Sequence, residues 1–450
     1  MKRTSWLGWS GAVLLLCACG GVDDTGAGGS DPGASNPGTS NPGTPDTGVT
    51  PPPAPTTLTV TGRVLDPKGH PIDGAAVLIQ GQRPVTTDAS GAFSFSGVTP
   101  PYDLVAVSRT RLNVIVYQGV TRQDPTLRIS DPSEFPVISA TSMRGVISGA
   151  REPSDTVDSP GLMFVSPEDP TSQNFYIDST NAYSQRVRWN DASTTTGTLF
   201  ALQKERLSWN SSATKITAFG RRDNVSLQHD RDTHDQNVTL MPVASSSLVV
   251  NVTPPSGFEL NTHSVGMRFA PSTTLWLWNS TSTISPFSYA MPVVAQSTFV
   301  VSASAKRPGS SATSMGTRSN VFAGLQNLSL PAPPTLRLPV PEANNVTRTS
   351  DFSWSGVAGG VYFVTFSWSS SGSLTVVTDQ THTALPDLSA LALAMPTKVP
   401  ISWGVQQHTP VDSVDFLLGS EGAWSGVPFG LDEYYVGTAA PRQFTLSSTP

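Results

Sequence analysis

The chain has 450 residues, of which 13% are charged, and its 27 Lys and Arg against 33 Asp and Glu leave a net charge of −6. A nucleic-acid surface needs a concentrated basic face. The densest basic spots here, Arg221-Arg222 and Lys306-Arg307, are isolated pairs, which excludes nucleic acid as a partner. With 38 glycines and 39 prolines, turns are frequent and long helices are not expected. Cys17 and Cys19 are the only cysteines, so the remainder of the chain has no disulfide, thiolate metal site or cysteine nucleophile. The length suits about two to four domains, each with a core of its own.

At the start, Lys2 and Arg3 precede an apolar run from Trp6 to Leu16. It is too short to span a bilayer, which takes about 20 residues, and reads as a secretion signal outside the fold. Leu16-Cys17-Ala18-Cys19 resembles the bacterial lipobox, in which an aliphatic residue and two small ones precede an acylated cysteine. Leu16 is too bulky for the position ahead of cleavage, so the resemblance points to Cys19 rather than Cys17. It implies a signal peptide at 1–18, lipidation of Cys19 and the membrane as a partner through that anchor. In the enteric sorting rule an aspartate after the cysteine retains a lipoprotein in the inner membrane; Gly20 stands there, so the outer membrane is expected. Residues 19–56 then form a Gly/Ser/Pro/Thr-rich linker with two Ser-Asn-Pro-Gly-Thr repeats, a composition that buries too little to order itself.

From 57 the pattern turns to β. Leu58–Val64 alternates, Asp66-Pro67-Lys68-Gly69 is a turn, and Pro71–Ile79 reads as a strand. A further turn at Thr86–Gly91 leads to strands at Ala92–Phe95 and Tyr102–Val107, the latter also read as alternating. The succession Gly62-x-Val64, Asp66, Gly69-x-Pro71-Ile72-x-Gly74-Ala75-x-Val77, Thr87-Asp88-x-x-Gly91-x-Phe93-x-Phe95 and Tyr102-x-Leu104 resembles the carboxypeptidase regulatory-like domain. That resemblance covers 57–130 and implies a transthyretin-like β-sandwich without catalytic residues. Pro101 stands where the family usually has glycine.

Two less recognisable β segments follow, at 145–242 and 247–331. They open on Arg144–Ser148 and Ser247–Val252 and close on Asn237-Val238-Thr239-Leu240 and Asn327-Leu328-Ser329-Leu330, as the first domain closes on Thr126-Leu127-Arg128-Ile129. They read either as two sequential sandwiches or as one larger irregular β domain. After the hinge Leu330–Pro334, residues 335–450 carry Asp351–Ser355 and Val361–Phe366, read as paired strands, then Val399–Val405. The Trp354 and Trp403 strands resemble those that face each other in fibronectin type III and immunoglobulin-like domains. The fold class is therefore all-β: tandem β-sandwiches behind a signal peptide and a linker.

Chemistry is sparse. His229, Asp230, Asp232, His234 and Asp235 have the donors for a metal, but neither the helical His-Glu-x-x-His spacing nor a calcium-loop glycine, so a solvated hairpin is the competing reading. No Gly-x-Ser-x-Gly elbow occurs, since Gly422-Ala423-Trp424-Ser425-Gly426 places the serine one position late. Ser212-Ala213-Thr214-Lys215 lacks the partner motifs of serine acyltransferases. Trp276 and Trp278 share one strand face and serve either as core or as a platform for a sugar or an apolar partner. The expectation is a lipid-anchored structural or protein-interaction module, with no catalysis and no cofactor. The alternative is a polysaccharide-binding surface lipoprotein, and the partner is a surface protein or polysaccharide in either case.

Overall fold

The computed structural model describes residues 57–447, leaving out 68, 109–112, 131–137, 152–153, 155–156, 159, 167–172, 177–181, 191, 207–213, 270–272, 369–371 and 420–430. The described chain is almost entirely β. Its helices are the single α-turn Val414–Leu417 and the 3₁₀ turn Ser389–Leu391.

Four pairs of facing strand layers, drawn from five sheets, enclose four apolar clusters. In the first, Ala92–Val98, Leu58–Leu65 and Thr126–Arg128 form a three-stranded sheet over Ala76–Ile79, Tyr102–Val107 and Asn113–Val120, around Val60, Val64, Phe93 and Leu104. In the second, Ala182–Asn190, Ile138–Ser148 and Val238–Thr239 lie over Gly161–Val165, Thr194–Arg206 and Thr214–Gln228, around Met143, Trp189 and Leu199. The third sets Phe287–Pro292, Ser245–Thr253 and Gly324–Ser329 against Glu259–Phe269, Ser297–Lys306 and Thr313–Val321. The fourth sets Thr335–Leu338, Phe352–Ser355 and His382–Thr383 against Val361–Trp368, Gly372–Thr378 and Pro400–Thr409.

The recurring closing phrase in the sequence has a topological cause. Each closing strand lies parallel to the opening strand of its own segment: Leu127 opposite Val64, Val238 opposite Ile147, and Leu328 opposite Val252. A leucine or valine in that position drops into the core beside the apolar residue of the opening strand, while its polar neighbours face out. Gly62 and Gly145 mark where the chain leading into the closing strand crosses the opening one. A Cβ on Gly62 would stand 2.4 Å from the Pro125 carbonyl oxygen, and one on Gly145 would stand 2.5 Å from that of Gln236.

Three sequence expectations need correction. The second strand is Ala76–Ile79, because Pro71 makes only an isolated bridge and Asp73-Gly74 turn the chain, with Gly74 at a φ of +73°. Phe352–Ser355 does not pair with Val361–Trp368; the two lie in opposite sheets, bonded respectively to Thr335–Leu338 and to Gly372–Thr378. Tyr102–Val107 is not a half-exposed alternating strand, since Leu104, Val105, Ala106 and Val107 are all buried.

The cause of that last burial is long-range. Asn113–Val120 pairs in parallel with Gly372–Thr378, from Asn113↔Ser373 to Tyr117↔Val377. The sheet then runs on through Val361–Trp368, Pro400–Thr409 and Glu433–Thr438 into Thr313–Val321, fourteen strands in all. One face of the N-terminal strands packs Val77, Leu104 and Val120 into the first cluster, and the other packs Leu78, Val105, Val107, Val114 and Val116 into the fourth. Asp415 fastens the same seam, accepting bonds from the Thr121 backbone N–H (3.0 Å) and hydroxyl, while the Thr126 N–H donates to the Leu418 carbonyl at 2.9 Å. The second and third segments fuse likewise: Met163, Phe200, Ile216 and Phe219 join the cluster of Leu248, Met267 and Phe269, with Phe200 stacked 5.2 Å from Phe269.

Two outcomes test this architecture. Gly62→Ala and Gly145→Ala should each lower stability by about 1–3 kcal/mol through the carbonyl clash, whereas Gly161→Ala, with nothing nearer than 3.8 Å, should be close to neutral in the same denaturant titration. Val116→Asp should remove hydrogen-exchange protection from Gly372–Thr378 together with Asn113–Val120. Loss confined to the N-terminal strands would mean that the two segments do not share a core.

Candidate functional site

In the first sandwich, the motif residues are spent on turns. Asp66 accepts the His70 backbone N–H at 2.8 Å. The buried Thr87 hydroxyl donates to the Ile72 carbonyl at 2.6 Å and accepts from the Ala75 N–H at 2.9 Å. Asp88 Oδ1 accepts from the Ser90 hydroxyl, the Ser90 N–H and the Ala92 N–H at 2.7, 2.8 and 3.0 Å. The Ser90 hydroxyl first, and then these backbone donors, hold its carboxyl below the usual carboxylate value. Such bonding ties both carboxylates into the turns they belong to.

The outer face of the same three-stranded sheet is hollow. Side chains alternate across a strand, so while Val60, Val64 and Phe93 point inward, Thr61, Arg63, Leu65, Ala92 and Ser94 point out. With Thr126, the short strand Val85–Thr86 and Asp88 they line an open hollow of about 810 Å³. A second cleft, of about 480 Å³, lies between the N- and C-terminal segments and is lined by Gln80, Asp103, Gln118, Arg348 and Asp387 over Leu78 and Leu385. Burial raises the Asp103 carboxyl, a shift opposed by its bond from the Gly119 N–H.

The residues singled out in the sequence are dispersed. Trp276 and Trp278 are both half-buried on Thr273–Ser280, with Leu275 and Leu277 turned into the core. Trp278 packs 5.1 Å from Tyr289, with the Lys204 ammonium 5.7 Å from its ring centroid, so part of its surface is already covered. The segment at 229–235 is clamped along Ile138–Ser148 rather than folded round a cavity. His229 Nδ1 accepts the Ala140 N–H at 3.0 Å, Asp232 pairs with Arg144 at 2.9 Å, and Asp230 and Asp235 sit in turns at φ of +54° and +59°. Among the described residues no group of three His, Cys, Asp or Glu side chains is placed to share a metal. Cys19, Ser212 and the Gly422–Gly426 run lie outside the described residues.

Residues 59–131 match the carboxypeptidase regulatory-like domain family. No curated protein matches the chain. Among solved structures, the TIE protein of Bacillus anthracis is similar at 9% identity and a TM-score of 0.14, over 61% of this chain and 49% of its own. This chain thus spans about half the length of that protein. Two B repeat units of the collagen-binding protein of Staphylococcus aureus align at 7% identity and TM-score 0.14, covering 78% of this chain and 93% of theirs. A fimbrial assembly protein from Parabacteroides distasonis aligns at 9% identity and TM-score 0.16, over 49% and 96%.

Beyond the carboxypeptidase regulatory-like domain, the most unusual titratable group is His263. Its ring is buried, stacked 3.8 Å from Phe287, with Nδ1 2.8 Å from the Tyr289 hydroxyl and Nε2 without a hydrogen-bond partner among the described residues. Burial pushes its pKa below the ordinary 6.5 and pushes the Tyr289 hydroxyl up to about 12. A sequence scan sees only an isolated histidine here; the alternation of Val265, Met267 and Phe269 along that strand is the one hint that it faces inward. As the pH falls, the unfolded chain takes up this proton first. The contribution of His263 is therefore intact above about pH 6.5 and is lost below it. Thermal unfolding between pH 7 and 5 should fall less steeply in His263→Phe than in the wild type; equal slopes would assign the acid sensitivity elsewhere.

Proposed function

We propose that this chain is a lipid-anchored cell-envelope protein, held at the outer membrane through Cys19, whose folded part is a stiff structural or protein-interaction module without catalysis. Its units are β-sandwiches at 57–130, 145–242, 247–331 and 335–450, the last of fibronectin type III or immunoglobulin-like type. The observation that carries the reading is the sharing of cores between segments. A chain whose sandwiches fuse through buried faces presents its surfaces at fixed separations, as a scaffold or spacer does, rather than as beads on flexible joints. The placement of the polar motif residues in turns supports a structural use of the N-terminal domain. The linker at 19–56 would span roughly 30–40 Å as a flexible coil, enough to lift the module clear of a lipid surface.

Mass spectrometry and membrane fractionation of the expressed protein, wild type beside Cys19→Ala, test the anchor. The wild type should carry diacylglycerol and a third acyl chain on Cys19 and sediment with the outer membrane, and the variant should be released. Unlipidated wild-type protein in the soluble fraction would remove the anchor from the proposal.

A further inference from the structure

The hollow on the outer face of the N-terminal sheet has a lining that the scaffold does not need. Its centre is Arg63, whose neighbours across the sheet are Ala92 on one side and Thr126 on the other. Both are too short to cover a guanidinium. The side chain is exposed, and no acceptor among the described residues bonds to it. The two carboxylates at the rim are occupied elsewhere: Asp88 Oδ1 takes three bonds within its own turn, and Asp124 Oδ1 takes both Arg122 Nε and Nη2, at 3.0 and 2.7 Å. Arg63 acts on Asp88 through its charge, which helps to hold that carboxyl low, but donates no hydrogen bond to it, and its planar five-donor fork matches a carboxylate in two bonds.

What surrounds it narrows the ligand. Thr61, Thr86, Ser94 and Thr126 bring hydroxyls, each able to donate and accept. Asp88 and Asp124 bring carboxylates to the lining, and Leu65, Val85 and Ala92 give it apolar surface. Three strands about 4.8 Å apart make a floor roughly 10 Å across, the width of one extended sugar chain. A single carboxylate bracketed by hydroxyls fits this lining. A run of carboxylates, as in an acidic peptide, would meet Asp88 and Asp124 instead.

We propose that Arg63 and the hydroxyl-lined hollow around it form a binding site for an acidic polysaccharide, one in which uronic acid residues alternate with neutral sugars. Arg63 takes the uronate carboxylate, and Thr61, Ser94 and Thr126 take hydroxyls of the same and adjoining rings. Phe93, the aromatic residue of the lining, is buried in the core and offers no open face for a sugar ring, so affinity rests on the ion pair and is salt-sensitive. This goes beyond the structural role proposed above and is independent of the state of Cys19.

Calorimetric titration of the whole folded protein with hyaluronan and heparosan oligosaccharides tests the site, beside carboxyl-reduced hyaluronan and an oligoglutamate of equal charge. Saturable binding of at least one uronate oligosaccharide is expected, weakened about tenfold or more by Arg63→Gln and by carboxyl reduction. Arg63→Lys should retain part of it, and Arg348→Gln, in the other cleft, should change nothing. Arg63 is exposed, so its variants should keep the wild-type unfolding midpoint, which is measured alongside. Undiminished binding by Arg63→Gln, equal affinity for the carboxyl-reduced chain, tighter Arg63-dependent binding of oligoglutamate, or no uronate binding at millimolar concentration would each overturn the proposal.

Discussion

The strands Ala76–Ile79, Tyr102–Val107 and Asn113–Val120 are dry on both faces, and the placement of the rest of the chain depends on that. One face closes the N-terminal sandwich; the other is the wall of the C-terminal core. Bringing Asn113 beside Ser373 closes a loop of 260 residues, at an entropic cost of roughly 5 kcal/mol. Leu78, Val105, Val107, Val114 and Val116 repay it, because each fully buried aliphatic side chain contributes about 1.5–3 kcal/mol. Burial therefore wins over chain entropy, and the parallel ladder from Asn113 to Tyr117 adds register to the contact.

The same economy operates between the second and third segments. The outer face of Thr194–Arg206 and Thr214–Gln228 would be an exposed apolar patch if its sandwich stood alone. Phe269 lies against Phe200 and Phe219 there, with the Arg221 guanidinium 4.7 Å from its centroid. The third and fourth segments then join edge to edge, Thr313–Val321 to Glu433–Thr438, which also removes two strand edges open to unwanted pairing. Spatially the segments follow the order second, third, fourth, first, so the chain's beginning is built into its end.

This arrangement decides which surfaces are left for partners. Faces that would otherwise be free are consumed by neighbouring segments, Trp278 among them, approached by Lys204 of the second segment and packed on Tyr289 of its own. The three-stranded sheet bearing Arg63 touches the C-terminal segment through Thr126, and its polar outward residues contrast with the aliphatic outward residues of its partner sheet. A division of labour within one small sandwich follows: one sheet for assembly, the other for solvent and ligand.

The sequence by itself determined the local elements. Alternation at Leu58–Val64, the turns at Asp66–Gly69 and Thr87–Gly91, and the family pattern over 59–131 are short-range properties, set by side-chain period and turn chemistry that a few neighbouring residues supply. The closing phrase Asn-Val-Thr-Leu was visible as rhythm, though its parallel pairing was not. Only the tertiary structure decided which strand faces are buried twice, that Phe352–Ser355 and Val361–Trp368 belong to opposite sheets, and that Arg63 stands uncovered between Ala92 and Thr126. Leu104-Val105-Ala106-Val107 carried the signal of two-sided burial, yet an apolar run names no partner. Contacts such as Asp415 with Thr121 lie 294 residues apart and leave no local periodicity, because a long-range pairing is selected by the total surface it removes from water and not by the residues beside it in the chain.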